Sequence, residues 1–201
     1  FTIIAGRCLP FGKVVDFSPL KNHTGLKLDL NNYSEKDFTS LAELKGLVSL
    51  DLSLTKIDSL EPLSKLENLT ELHLKRTRIE FIDPLKDLTK LKILNLEKTR
   101  VDSISVVENM PGLETLNLEE TMVSSVAALK SASRLAELNL RRTNVGEIDP
   151  LADLTGLRVL NLSETEIADL TPLAGLKNLE KLLIFRTKVT DLDKNGFDEV
   201  V

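Results

Sequence analysis

Two histidines, one cysteine and a scatter of carboxylates are the groups in this chain that could do chemistry. His23 and His73 lie far apart, and a lone histidine among charged neighbours reads as a surface residue rather than a general base. Cys8, with no second cysteine, forms no internal disulfide and no multi-cysteine metal site. The adjacent Glu119 and Glu120 would need a pocket to shift their protonation, and the pattern around them suggests none. There is no phosphate-cradling glycine loop, nucleophile elbow or metal-ligand constellation of the usual kinds. The most metal-like stretch is "DLDKNGFDEVV", where Asp191, Asp193, Asn195 and Gly196 have the spacing that opens a calcium loop. Its eighth position is Asp198 instead of an apolar residue, and the bidentate acid at the twelfth would fall beyond Val201. Asp191 and Asp193 also keep register with Asp169 and with Asp149 or Asp83, so Asn195-Gly196 reads as a turn. The expectation is a non-enzyme with no catalytic residues, metal or cofactor.

The totals point the same way. The chain has 201 residues, 42% hydrophobic and 28% charged, enough for one or two folded domains. A net charge of −5 argues against a general nucleic-acid binder, whose footprint is a basic excess. No apolar run approaches the ~20 residues of a membrane span, so no membrane insertion is expected. The chain opens at Phe1 without a methionine, which reads as a processed form or a fragment.

What organises these residues is a repeat. Leu47, Leu69, Leu91, Leu113, Leu135, Leu157 and Leu179 are spaced by 22 every time. With each of these as position 1, leucine returns at position 4 (Leu50 through Leu182) and at position 6 (Leu52 through Leu162, then Ile184). Position 11 is always Ile or Val, and positions 14, 17 and 20 are mostly apolar. Gly25 begins a weaker copy, and Val14, Phe17 and Leu20 look like the second half of an eroded unit before it. The division is therefore 1–24 as an N-terminal cap or degenerate partial repeat and 25–200 as about eight units, the last incomplete or capping. A fixed period of this length marks a solenoid, because one unit cannot bury its leucines alone and stacking neighbours makes a continuous core. Alternation at positions 4 and 6 predicts a short strand in each unit, eight in all. "EPL", "DPL", "DPL" and "TPL", at Glu61, Asp83, Asp149 and Thr171, predict a capped helical turn with proline at its first position. The units starting at Leu91 and Leu113 have Val106 and Ala128 in place of that proline, so a different winding is expected there.

The pattern LxxLxLxxTx[IV]xx[LIV]xPLxxLxx closely resembles the 22-residue leucine-rich repeats of the internalin-like bacterial proteins. It is also similar to the protein-phosphatase-regulatory branch of the same superfamily. The resemblance covers residues 25 to 200 and implies an α/β leucine-rich-repeat solenoid. That is a curved right-handed superhelix with a parallel sheet on its concave face and short helical turns or loops on its convex face. It implies a non-catalytic scaffold that binds a protein partner through the concave face. The bacterial branch implies a secreted or cell-surface protein meeting a host partner; the alternatives are a phosphatase-regulator-like protein or a targeting module cut from a larger enzyme. A monomer is expected. At position 9 the family usually places an Asn linking successive turns, whereas all seven clear copies here have Thr, from Thr55 to Thr187. No clear version of the internalin helical cap precedes the array.

In such a fold positions 3, 5, 7 and 8 face the concave side. Position 5 carries His73 and then Asn95, Asn117, Asn139 and Asn161, which suggests an amide ladder between strands. Lys56, Lys75, Arg76, Arg78, Lys98 and Arg100 form a basic cluster interrupted by Glu97, suited to receive an acidic partner surface. Glu97, Glu119 and Glu120 make an acidic band, followed by Arg141 and Arg142. At position 8 the signs alternate from Lys98 onward, which also reads as a self-neutralising surface. Leu183 and Phe185 fall at outward positions of the last strand, either as interface anchors or as residues under a C-terminal cap.

Overall fold

A computed structural model describes residues 2–4, 16–190 and 192. Cys8, Val14 and all of the calcium-like stretch except Leu192 lie outside the described residues. The repeat folds as one parallel sheet whose nine strands follow chain order. They are β1 (Thr2–Ile4), β2 (Leu26–Asp29), β3 (Leu47–Asp51), β4 (Glu71–His73), β5 (Ile93–Asn95), β6 (Thr115–Asn117), β7 (Glu137–Asn139), β8 (Val159–Asn161) and β9 (Lys181–Leu183). From β3 onward each strand pairs with the next at an offset of one period, as in Leu50 opposite Leu72 and Leu94 opposite Leu116. The strand not expected from the sequence is β1, where Thr2 sits opposite Lys27, so the offset there is longer than the period.

The core follows from that register. The leucine at position 4 points inward between two outward neighbours, and Leu50, Leu72, Leu94, Leu116, Leu138 and Leu160 are all buried. Positions 14, 17 and 20 come back over the sheet from the far side through short 3-10 turns. Among the described residues there is no α-helix, so the helical layer consists of these turns alone. The proline-bearing turns are three residues long: Glu61–Leu63, Asp83–Leu85, Asp149–Leu151 and Thr171–Leu173. Where the proline is missing, Ser105–Asn109 and Ala127–Ser131 extend the turn to five residues. At the Glu61 and Thr171 turns the cap lies two residues upstream of where the sequence placed it. Asp169 Oδ1 accepts the Thr171 N–H at 2.8 Å, and Ser59, Ser103 and Ser125 serve the same way. A short side chain held two residues before the turn reaches the first free N–H, whereas Glu61 and Thr171 already lie inside it.

The two ends of the array differ. At the N-terminal end Tyr33 packs edge-on between Phe17 and Phe38, and all three are buried. Gly46 is needed here, since a Cβ would collide with the carbonyl of His23. At the other end Leu179, Leu182, Ile184 and Val189 occupy core positions but are only half-buried.

Candidate protein-interaction surface

Each strand ends in the same tight turn, and the turn fixes how the outward side chains are presented. The residue at position 8 is left-handed in every unit: Asn32, Leu54, Arg76, Lys98, Glu120, Arg142, Glu164 and Arg186 have φ between 54° and 62°. Its N–H reaches across to the position 7 carbonyl of the next unit, for example Lys98 N to Glu119 O at 2.8 Å. The threonine at position 9 bends back within its own unit. Thr77 Oγ1 donates to Leu74 O and Thr121 Oγ1 to Leu118 O, both at 2.7 Å. A hydroxyl has one proton to donate, and here it closes the turn while backbone amides link the units.

The asparagines do not form the expected amide ladder. Asn95, Asn117, Asn139 and Asn161 each use Oδ1 to accept the N–H two residues on, at 2.9–3.0 Å. Asp29 and Asp51 do the same at the equivalent position, so the turn needs the oxygen and not the amide nitrogen. An Asx turn is local and satisfies a backbone donor that the short strand leaves free, which is why it prevails over bonding between strands. The Nδ2 groups remain as outward donors, and that of Asn139 reaches Glu119 Oε2 at 3.1 Å. Thr115, Asn117, Glu137, Asn139, Asn161 and Leu183 line a shallow hollow of about 250 Å³ over β6–β8.

The charged residues named from the sequence divide into two sets. Lys75 pairs with Glu97 at 2.9 Å, and Glu97 lies within 3.9 Å of Lys98, which meets Glu120 at 3.3 Å. Glu120 pairs with Arg142 at 2.8 Å, and Arg142 with Glu164 at 2.9 Å. Arg141 bridges Glu119 and Glu164 at 3.0 and 2.6 Å, and Arg186 lies 4.0 Å from Glu164. The acidic band and the second basic stripe are thus one ion-pair network. Hydrogen bonds from Arg141 and Arg142 hold the Glu164 carboxyl below its ordinary range, and Arg142 does the same for Glu120.

The basic cluster is therefore smaller than the sequence indicates. Lys75 and Lys98 belong to the network, and Arg100 pairs with Glu80 at 3.0 Å. Among the described residues Lys56, Arg76 and Arg78 make no ion pair, and all three are exposed. His73 is half-buried at the end of β4. Leu183 and Phe185 are 37% and 64% exposed, with the Arg186 guanidinium 5.0 Å from the Phe185 ring. Four exposed apolar residues were missed from the sequence: Phe81 at 70%, Met122 at 58%, Leu54 at 45% and Leu192 at 39%. The available signal was an interruption of the repeat: Phe81 stands at position 13, where other units place Ser, Asp or Glu.

Among the described residues no cluster of three His, Cys, Asp or Glu side chains could hold a metal, and no helix is long and apolar enough to cross a membrane. The family described as leucine-rich repeats (two copies) matches residues 67–109 and 133–175. No curated protein matches the chain in sequence. Among solved structures, an internalin (inlF) from Listeria monocytogenes superposes with a TM-score of 0.76 at 24% identity, covering 92% of this chain and 63% of its own. Internalin C2 from the same organism gives 0.81 at 24% identity, with 85% and 75% covered. A leucine-rich-repeat protein of Leptospira interrogans gives 0.66 at 22%, with 86% and 57% covered. This chain therefore spans less than two thirds of the length of the first and third of these proteins. A 22-residue leucine period, nine parallel strands in chain order and these likenesses together give the chain an internalin-like leucine-rich-repeat fold.

Proposed function

We propose that this protein is a non-catalytic recognition scaffold that binds a protein partner through its concave face. The observation that carries the reading is the state of the floor over β6–β8. Its asparagine oxygens are committed to turns, its amide nitrogens face outward, and Leu183 and Phe185 stand exposed beside it. A surface whose side chains are already held loses little entropy on binding, and stacked repeats offer such a surface over many units. The ion-pair network through Glu97, Lys98, Glu120, Arg141, Arg142 and Glu164 borders that floor and fixes its outline. A bacterial setting, secreted or at the cell surface, is part of the proposal and draws support from the bacterial source of the three fold neighbours.

The test is affinity capture from bacterial and host-cell lysates with mass-spectrometric identification. The parent protein runs beside a variant carrying Asn117→Asp, Asn161→Asp and Phe185→Ala. Aspartate keeps the turn oxygen, as Asp51 does, and removes only the amide donors. A partner held by the parent and lost by the variant supports the reading. Identical captures from both, or none from either, sink it.

A further inference from the structure

Among the described residues Lys56, Arg76 and Arg78 have no carboxylate partner, on a chain of net charge −5. They are neighbours. Leu54 N bonds Lys75 O at 2.8 Å, which sets the Leu54 turn beside that of Arg76, and Arg78 N bonds Ile57 O at 3.2 Å, which sets Arg78 beside Lys56. The reason they stay unpaired is local. One unit further on, Glu80 reaches Arg100, but the residue equivalent to Glu80 beside Arg78 is Asp58, one methylene shorter, and it forms no ion pair with Arg78. Two exposed apolar residues flank these cations: Leu54, 45% exposed, and Phe81, three residues beyond Arg78 on the same loop.

We infer that this rim of the second and third 22-residue units, Leu54, Lys56, Arg76, Arg78 and Phe81, is the docking point for a segment of the protein partner that combines carboxylates with an apolar side chain. The inference rests on the protein-recognition reading and names the partner's contact chemistry. Arginine and aromatic residues side by side are the side chains that most often dominate an interface. Three adjacent unpaired cations on an otherwise acidic molecule make the approach of an acidic segment attractive at this rim. On the paired face, by contrast, Arg141, Arg142 and Arg186 each already hold a carboxylate. Phosphate would be drawn by the same charge, but the aliphatic Leu54 and the net charge of −5 favour a peptide over a nucleic acid.

The experiment titrates the 15N-labelled protein with a synthetic peptide, Glu-Glu-Leu-Glu-Glu, at low salt. All-glutamate and Lys-Lys-Leu-Lys-Lys peptides and a short single-stranded oligonucleotide run in parallel. The expected result is amide shifts confined to residues 54–58 and 76–82 with the glutamate-leucine peptide, weakened at high salt. The lysine peptide should produce none. Arg76→Glu with Arg78→Glu should weaken binding at least about tenfold. Glu120 and Glu164 already hold the left-handed position of Arg76, so the fold tolerates glutamate there. Phe81→Ala should abolish the preference for the leucine peptide over the all-glutamate one. Arg158→Glu, at the pair with Glu180 outside this rim, should leave binding unchanged. Equal shifts from the lysine peptide, shifts elsewhere, tighter binding of the oligonucleotide, or no binding at all would overturn the inference. If this titration fails while capture through the concave floor succeeds, only the docking point is lost; if it succeeds while capture is indifferent to the floor variant, the concave-floor reading is the one to abandon.

Discussion

Between Glu97 and Arg186 the side chains at the strand ends hold one another, with Glu97, Glu120 and Glu164 each shared between cations and each of Arg141 and Arg142 between glutamates. In the second and third units the same backbone, with the same left-handed turn at Leu54 and Arg76, carries Lys56, Arg76 and Arg78, which make no ion pair among the described residues. The turn is common to both regions, so the difference lies wholly in the residues placed on it. One region uses its charges for internal order, and the other keeps them available. A repeat scaffold can thus carry paired and unpaired charges in different units without any change of fold.

The largest test asks whether the two regions share one core. Leu72→Ala and Leu116→Ala should each cost about 2–5 kcal/mol in urea unfolding, because both leucines are fully buried beneath their strands. Leu182→Ala, at the half-buried end, should cost less. A clear inequality between the first two would show that the regions differ in packing as well as in surface. Next in size, Thr77→Val and Thr121→Val each strip a buried carbonyl of its hydroxyl donor. Each should lower stability by about 1–2 kcal/mol, and equal losses would establish the turn as common to both regions.

Charge should then separate them. Glu120 and Glu164 have folded-state values depressed by the arginines that donate to them. Their contribution is complete above the ordinary carboxylate range and is lost as pH falls through those depressed values. Thermal melting of Glu164→Gln should therefore lose less on acidification than the parent does, while Arg76→Gln should follow the parent. The same acid slope for both variants would mean that the network seen in the structure contributes nothing. The smallest effect concerns the turn itself. Leu54→Asn should gain about 0.5–1 kcal/mol, since Leu54 has φ of 62° and asparagine tolerates that region, as Asn32 does at φ 61°. A loss in the same unfolding assay would show that Leu54 has packing partners its exposure conceals.

Most of the architecture is legible in the chain because burial repeats with the backbone. A leucine every 22 residues can be inward only if every unit takes the same path, so position 4 of each strand and the turns after positions 13 and 14 follow directly. The strand β1 was illegible for the same reason: its offset from β2 departs from the period, and one isolated "TII" carries no pattern. The polar positions were read less well. Asn117 and Thr121 have the right groups to bond between units or within one, and composition does not choose between those. The alternation Lys98, Glu120, Arg142, Glu164 was visible as self-neutralising, but the part played by Glu97, Glu119 and Arg141 at position 7 was not.

By itself the sequence determined the period, the residues of strands β2 to β9 and the buried leucines, because hydrophobic burial depends on residue type and spacing alone. Only the tertiary structure decided which charges are spent. Pairing depends on side-chain reach across the gap between units, so Glu80 neutralises Arg100 while Asp58, a methylene shorter, leaves Arg78 without an ion pair.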